Sequence, residues 1–173
     1  MTDTGDIDHP GCAKAILSGC AKNKNPNFLI HLTGTGCIAD EREQTWEGND
    51  NPRIWHDIDD IEEIYDLPAS ARHHVIDQNI MDASDDKLKT CIICPPDIYG
   101  QNTGLGNRAT FLVPEYIKVL LKDKEAFYLG KGENIRAVTH IDDVVSLFLL
   151  LLGKAIEGGG NAQWGREVSL PTI

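Results

Sequence analysis

Two short runs constrain this chain more than any other feature. Phe28 to Leu32 is apolar throughout except for His31, and Thr90 to Cys94 (Thr-Cys-Ile-Ile-Cys) is β-prone and stopped by Pro95-Pro96. A strand with one wet face alternates apolar and polar residues. A run without alternation needs cover on both faces, which is the situation of strands in a parallel sheet flanked by helices. Helical patterns stand around both runs. The spacing predicts helices over 13–21, 59–65, 70–83, 110–121 and 142–155, with Val75, Ile76, Ile80 and Met81 turned inward on the third. Further short strands are expected near Phe127 and over 135–139, and again over the tail segment 167–170. Strand and helix alternate, so the fold class is α/β with a mostly parallel sheet. At this length, residues 1–173 are read as a single domain.

Charge and hydropathy narrow the function classes. Sixteen Lys and Arg against 27 Asp and Glu give a formal net charge of −11, which repels a phosphate backbone and sets nucleic acid aside as a partner. The most apolar stretch, Val144 to Leu152, is less than half the roughly 20 residues needed to span a bilayer, so no membrane partner is expected. The acidic start Met1 to His9 is unlike a signal or transit peptide. Five irregularly spaced cysteines without such a signal suit reduced thiols and a cytoplasmic protein.

Several motifs carry possible chemistry. Gly34-Thr-Gly36-Cys-Ile-Ala39 follows the first apolar run as a G-x-G-x-x-A. A dinucleotide fingerprint demands a helix at once and then a strand ending in an acid. The charged residues 40–47 and Asp50-Asn-Pro52 suit neither, so the segment is expected to be a functional loop at a strand's carboxyl end. Cys91 and Cys94 form a C-x-x-C, but three positions apart on a strand point to opposite faces, which predicts two buried core thiols rather than a redox pair. No spacing of Cys91, Cys94, His73 and His74 resembles a zinc ligand set, so no metal is expected. His73-His74 is expected to be a solvated pair on a helix. The acidic run 57–66 is expected to be a solvated face with Ile58, Ile61 and Ile64 or Tyr65 inward. His140-Ile-Asp-Asp143 is suited to capping the last helix.

Taken together, three segments resemble the extended short-chain dehydrogenase/reductases, the NAD-dependent epimerase/dehydratase family. FLIHLTGTGCIAD (28–40) is similar to the family's strand ending in a Ser/Thr-rich active-site loop. CIICPPDIYG (91–100) is similar to its R-P-x-x-V-Y-G segment, and GKGENIRAVTHIDDV (130–144) to its G-x-G-x-x-x-R-x-x-x-H-V-x-D-V segment. Ala162-Gln-Trp164-Gly165 is similar to a fungal-type subgroup.

The resemblance implies an incomplete Rossmann-like, NAD(P)-binding fold with a small C-terminal substrate-side portion. It implies NAD or NADP as cofactor and a sugar nucleotide or a small carbonyl compound, such as an aldehyde, as substrate. It assigns Thr33 and Thr35 to the reacting oxygen, His73 to acid/base work, Pro95 and Pro96 to the nicotinamide wall, and Asn107, Arg136 and His140 to the substrate side. Two departures accompany it. The family's opening β-α-β with its glycine fingerprint has no counterpart here, which predicts unpaired edges on both apolar strands and a possible homo-oligomer. None of Tyr65, Tyr99, Tyr116 or Tyr128 has Lys four residues later, and His73 and Asp77 stand where that Tyr and Lys belong. The expected function is an NAD(P)-dependent epimerase/dehydratase-like oxidoreductase, truncated or impaired; the alternative is an inactive Rossmann-related binding or regulatory protein.

Overall fold

Asn27–Leu32 (β2) and Leu88–Ile93 (β3) pair in parallel along their whole lengths, from Asn27 opposite Leu88 to Leu32 opposite Ile93. This is a computed structural model; it describes residues 1–39, 48–101, 103, 104, 106, 110–160, 164 and 165. The other edge of β2 is occupied by Thr2–Asp3 (β1), again in parallel, with Thr2 opposite Ile30. The expectation of unpaired edges is therefore corrected for β2, which is the middle strand of a three-stranded sheet. Two main-chain contacts fasten the added strand: the N-terminal ammonium donates to the Phe28 carbonyl at 2.6 Å, and Ile30 N–H donates to the Met1 carbonyl at 3.0 Å.

Both faces of this sheet are covered, as the unbroken apolar runs require. Leu29, Leu88 and Ile92 face Ala13 and Cys20 of the helix Pro10–Lys22 (α1) and Ile76, Ile80 and Met81 of the helix His74–Asp82 (α3). Ile30, Cys91 and Ile93 point the other way, against Leu147, Phe148 and Leu151 of the helix Ile141–Ile156 (α5) and against Trp164. Period-two alternation thus sends successive residues into two different cores. A short helix, Ile61–Tyr65 (α2), adds Ile64 to a third cluster with Cys37, Leu67, Ala71 and Cys94.

Local chemistry explains the helix ends. Pro10 occupies the first position of α1, where its missing N–H costs nothing, and His9 Nδ1 accepts from Cys12 N–H at 3.0 Å. His140 likewise caps α5 by accepting from Asp142 N–H at 3.2 Å, with Asp142 and Asp143 at the positive end of the helix dipole. Gly158 and Gly159, both at positive φ, follow its end.

Several expected elements are redrawn. Helix α3 begins at His74 rather than 70, because His73 adopts a left-handed conformation (φ 62°). That start places Ile76, Ile80 and Met81 inward and leaves Val75 outward, 51% exposed. Ile58 also lies outside, ahead of α2. Asp97–Tyr99 (β4), just past Pro95-Pro96, pairs in parallel with Val138–His140 (β5) as a separate two-stranded sheet. No strand forms at Phe127. Its ring instead leans on Tyr116 of the helix Leu112–Asp123 (α4), with centroids 4.9 Å apart. The tail segment 167–170 lies outside the described residues.

Candidate functional site

At the carboxyl ends of β2 and β3 the chain leaves the sheet and opens a narrow cleft. Open α/β sheets place ligands in this position. Thr33, Cys37, His74, Asp77 and Cys94 are among its lining residues. Thr33 N–H continues the β ladder by donating to the Ile93 carbonyl at 2.8 Å, which fixes where its side chain points. Its hydroxyl donates to Asp77 Oδ2 at 2.8 Å.

Asp77 is the electrostatic centre of the cleft. It sits on the first turn of α3 among Ile76, Ile80 and Met81, and burial pushes its carboxyl up to about 6. The Thr33 hydrogen bond and the nearby His73 work against that rise, while Asp8 adds to it. Across from it stands His31, the one polar residue from Phe28 to Leu32, 2% exposed. His31 Nδ1 lies 2.9 Å from Asp3 Oδ2, and His31 Nε2 lies 3.7 Å from Asp77 Oδ1. Burial pushes the imidazole below the ordinary histidine range, against the pull of Asp3.

These facts fit together. With Nδ1–H donated to Asp3, a neutral His31 turns the lone pair of Nε2 toward Asp77 Oδ1. Both atoms are buried without a hydrogen-bond partner among the described residues. Two facing acceptors are unfavourable, and protonation of the Asp77 carboxyl, which sets in below about pH 6, relieves the clash. The result is a polar line Asp3–His31–Asp77–Thr33 running from the sheet edge to the cleft.

The other sequence-selected residues are placed as follows. Thr35 opens a 3-10 turn, Thr35–Ile38, half-buried, and donates its N–H to the Pro95 carbonyl at 3.3 Å. It lines a hollow beside the cleft with Cys37, Trp55 and Asp57. Pro95 and Pro96 are buried and line neither space. His73 Nδ1 is held by Asp8 at 2.7 Å, and its ring lies over the Gly34–Gly36 loop. His74 is buried in the cleft wall, so the two are not a solvated pair. Arg136 is tied to Asp97 through Nε at 2.7 Å, while His140 caps α5 and meets the Tyr99 ring edge-on at 5.2 Å. His140 ends β5, Arg136 precedes that strand, and neither lines either space. Asn107 lies outside the described residues.

Asp77 and His31 were not selected as site residues from sequence. A histidine inside a doubly buried strand was the available signal, because such a group must find a partner.

The glycine loop tests the fit of a dinucleotide. A Cβ added at Gly36 would lie 3.1 Å from His73 Nε2 and 3.2 Å from Arg72 Cδ. The His73 and Arg72 side chains thus pack closely against Gly36, and a four-residue 3-10 turn follows where the fingerprint needs an α-helix. The described residues do not fit the cofactor's pyrophosphate at this loop.

Residues 68–164 match the NAD dependent epimerase/dehydratase family. The chain belongs to that family. It is also 24% identical over 153 residues to the oxidase ucsJ of Acremonium sp, an alignment that takes in 85% of this chain and 44% of that protein. The chain therefore spans less than half the length of the curated relative it matches. No solved structure matches. Among the described residues, no helix is long and apolar enough to cross a membrane.

Proposed function

We propose that this chain is the substrate-side portion of an NAD(P)-dependent oxidoreductase of the epimerase/dehydratase family, with the cleft binding the carbonyl or carbinol oxygen of a sugar nucleotide or small aldehyde. The observation that carries the reading is the Thr33–Asp77 hydrogen bond at the carboxyl ends of two parallel strands. The Thr33 hydroxyl hydrogen-bonds the substrate oxygen, with Thr35 beside it. Asp77 holds a proton, or accepts one, at a pKa near the working pH, which is where acid/base groups are most effective. In this reading Asp77 does part of the work that the family gives to Tyr and Lys, with His73 near enough to bias its charge. Because no α-helix follows the glycine loop to hold a pyrophosphate, the reading assigns to this chain oxygen binding and proton movement and derives no step through the dinucleotide.

A second reading is favoured by a separate observation. Asp77 stands where the resemblance places a lysine, and a carboxyl cannot supply the cation that the family sets beside the dinucleotide. A Rossmann-related protein that binds a small molecule without turnover is consistent with that exchange. One experiment separates the two. Purified chain is titrated with a panel of small aldehydes and UDP-sugars by calorimetry, then assayed for NADH and NADPH consumption with any compound that binds. The proposal expects saturable binding, weakened at least about tenfold in Thr33→Val and restored in Thr33→Ser, since one charge-assisted hydrogen bond supports that loss. Consumption of dinucleotide supports the oxidoreductase reading, and binding without consumption supports the second. No binding, or binding indifferent to Thr33→Val, overturns both.

A further inference from the structure

Cys37 and Cys94 are 57 positions apart in sequence, yet the strand ends bring them together. Cys37 lies on the turn after β2, and Cys94 directly follows β3. The two segments are stitched by Thr33 N–H to the Ile93 carbonyl at 2.8 Å and by Thr35 N–H to the Pro95 carbonyl at 3.3 Å. Both thiols belong to one apolar cluster with Ile64, and both line the cleft and also the hollow beside it. All five cysteines are free. We propose that Cys37 and Cys94 form a redox-active dithiol that closes into an intramolecular disulfide in the wall of the cleft.

The two sulfurs are unequal in the way such chemistry needs. The influence of each thiol on the other pushes Cys37 below the ordinary thiol range and, with burial, raises Cys94 well above it. The backbone N–H groups of Cys37 and Ile38 add to the stabilisation of a Cys37 thiolate, against burial and the nearby Asp77. Cys37 is therefore the attacking sulfur and Cys94 the resolving one. Each residue is about 95% covered, at 4% and 5% exposure, so the approach runs through the two spaces they line. Cys91 is the contrast. It faces the opposite core, and burial pushes its thiol up to about 12. The pair that matters is thus formed across the two strand ends and not within Cys91-Ile-Ile-Cys94.

The oxidant is a small-molecule disulfide of the glutathione type. The Cys37 thiolate attacks one sulfur of the external disulfide, breaking its S–S bond and releasing one thiolate, which takes up a proton. Cys94 then gives up its proton and attacks Cys37 Sγ in the mixed disulfide, expelling the second small thiol. The protein dithiol is oxidised by two electrons, and one external disulfide is reduced to two thiols.

The test uses the full chain, with oxidised glutathione as probe, followed by N-ethylmaleimide trapping and peptide mapping by mass spectrometry. The expected result is a Cys37–Cys94 crosslinked peptide, with Cys37 consumed at least about ten times faster than Cys91 in the native state. In Cys94→Ser the product should change to a stable Cys37–glutathione mixed disulfide. A stable mixed disulfide in the unmodified chain overturns the proposal, as do crosslinks through Cys12 or Cys20, or no oxidation under conditions that oxidise the unfolded chain. The linkage map of the unmodified chain decides the matter even where the variant fails to fold.

Discussion

Asp77 carries consequences that a single substitution can expose. Its carboxyl is pushed up to about 6 by burial, whereas an unfolded chain returns it to an ordinary value near 4. Between those values the folded protein binds more protons than the unfolded one, so Asp77 makes stability fall as pH rises from about 4 through about 6. Asp77→Asn removes that loss, because an amide never charges, and its NH2 can donate to His31 Nε2 while its oxygen accepts from Thr33. At pH 8 the variant should exceed the parent in unfolding free energy by on the order of 1–3 kcal/mol, and the gap should close below pH 4. Urea unfolding across that range measures it. A gap that does not vary with pH would show that Asp77 titrates normally. Ligand binding should weaken in the same variant, separating its structural gain from its functional loss.

At the scale of elements, much was legible because the strongest signals were periodic. The runs 28–32 and 90–94 had no alternation, and both proved to be strands covered on two faces. What escaped had no local signature. Thr2–Asp3 forms a strand because β2 offers it an open edge, not because two polar residues prefer extended backbone. The start of α3 slipped by four residues because one left-handed residue, His73, cannot be read from periodicity. These distinctions have measurable weight. Ile30, 1% exposed between β1 and β3, should cost about 2–5 kcal/mol as Ile30→Ala, by the transfer and cavity terms of a filled core. Val75→Ala, on the outer face of α3, should change stability by no more than about 0.5 kcal/mol. Chemical denaturation of both tests the orientation of β2 and α3 together, and equal costs would contradict it.

For the whole molecule, the order of motifs pointed to the family, and the match over residues 68–164 bears that out. Thr33, selected from sequence, lies where a parallel strand ends and lines the cleft. The chemistry inside it was not legible. Asp77 was visible only as a residue standing in a lysine's place, and its contact with His31 spans 46 positions that only the folded sheet and helix bring together. Cys37 and Cys94 meet for the same reason. Arg136 and His140, chosen by resemblance, contact Asp97 of β4 and cap the start of α5. The central claim is that the cleft contains a carboxyl that burial holds well above the ordinary carboxylate range, beside the Thr33 hydroxyl. Its most direct test is a carboxyl-detected NMR titration of the full chain, with Asp77→Asn identifying the resonance. The account predicts a midpoint for Asp77 of about 6, accompanied by a matching shift at His31. A midpoint near 4, with His31 unmoved, would contradict it.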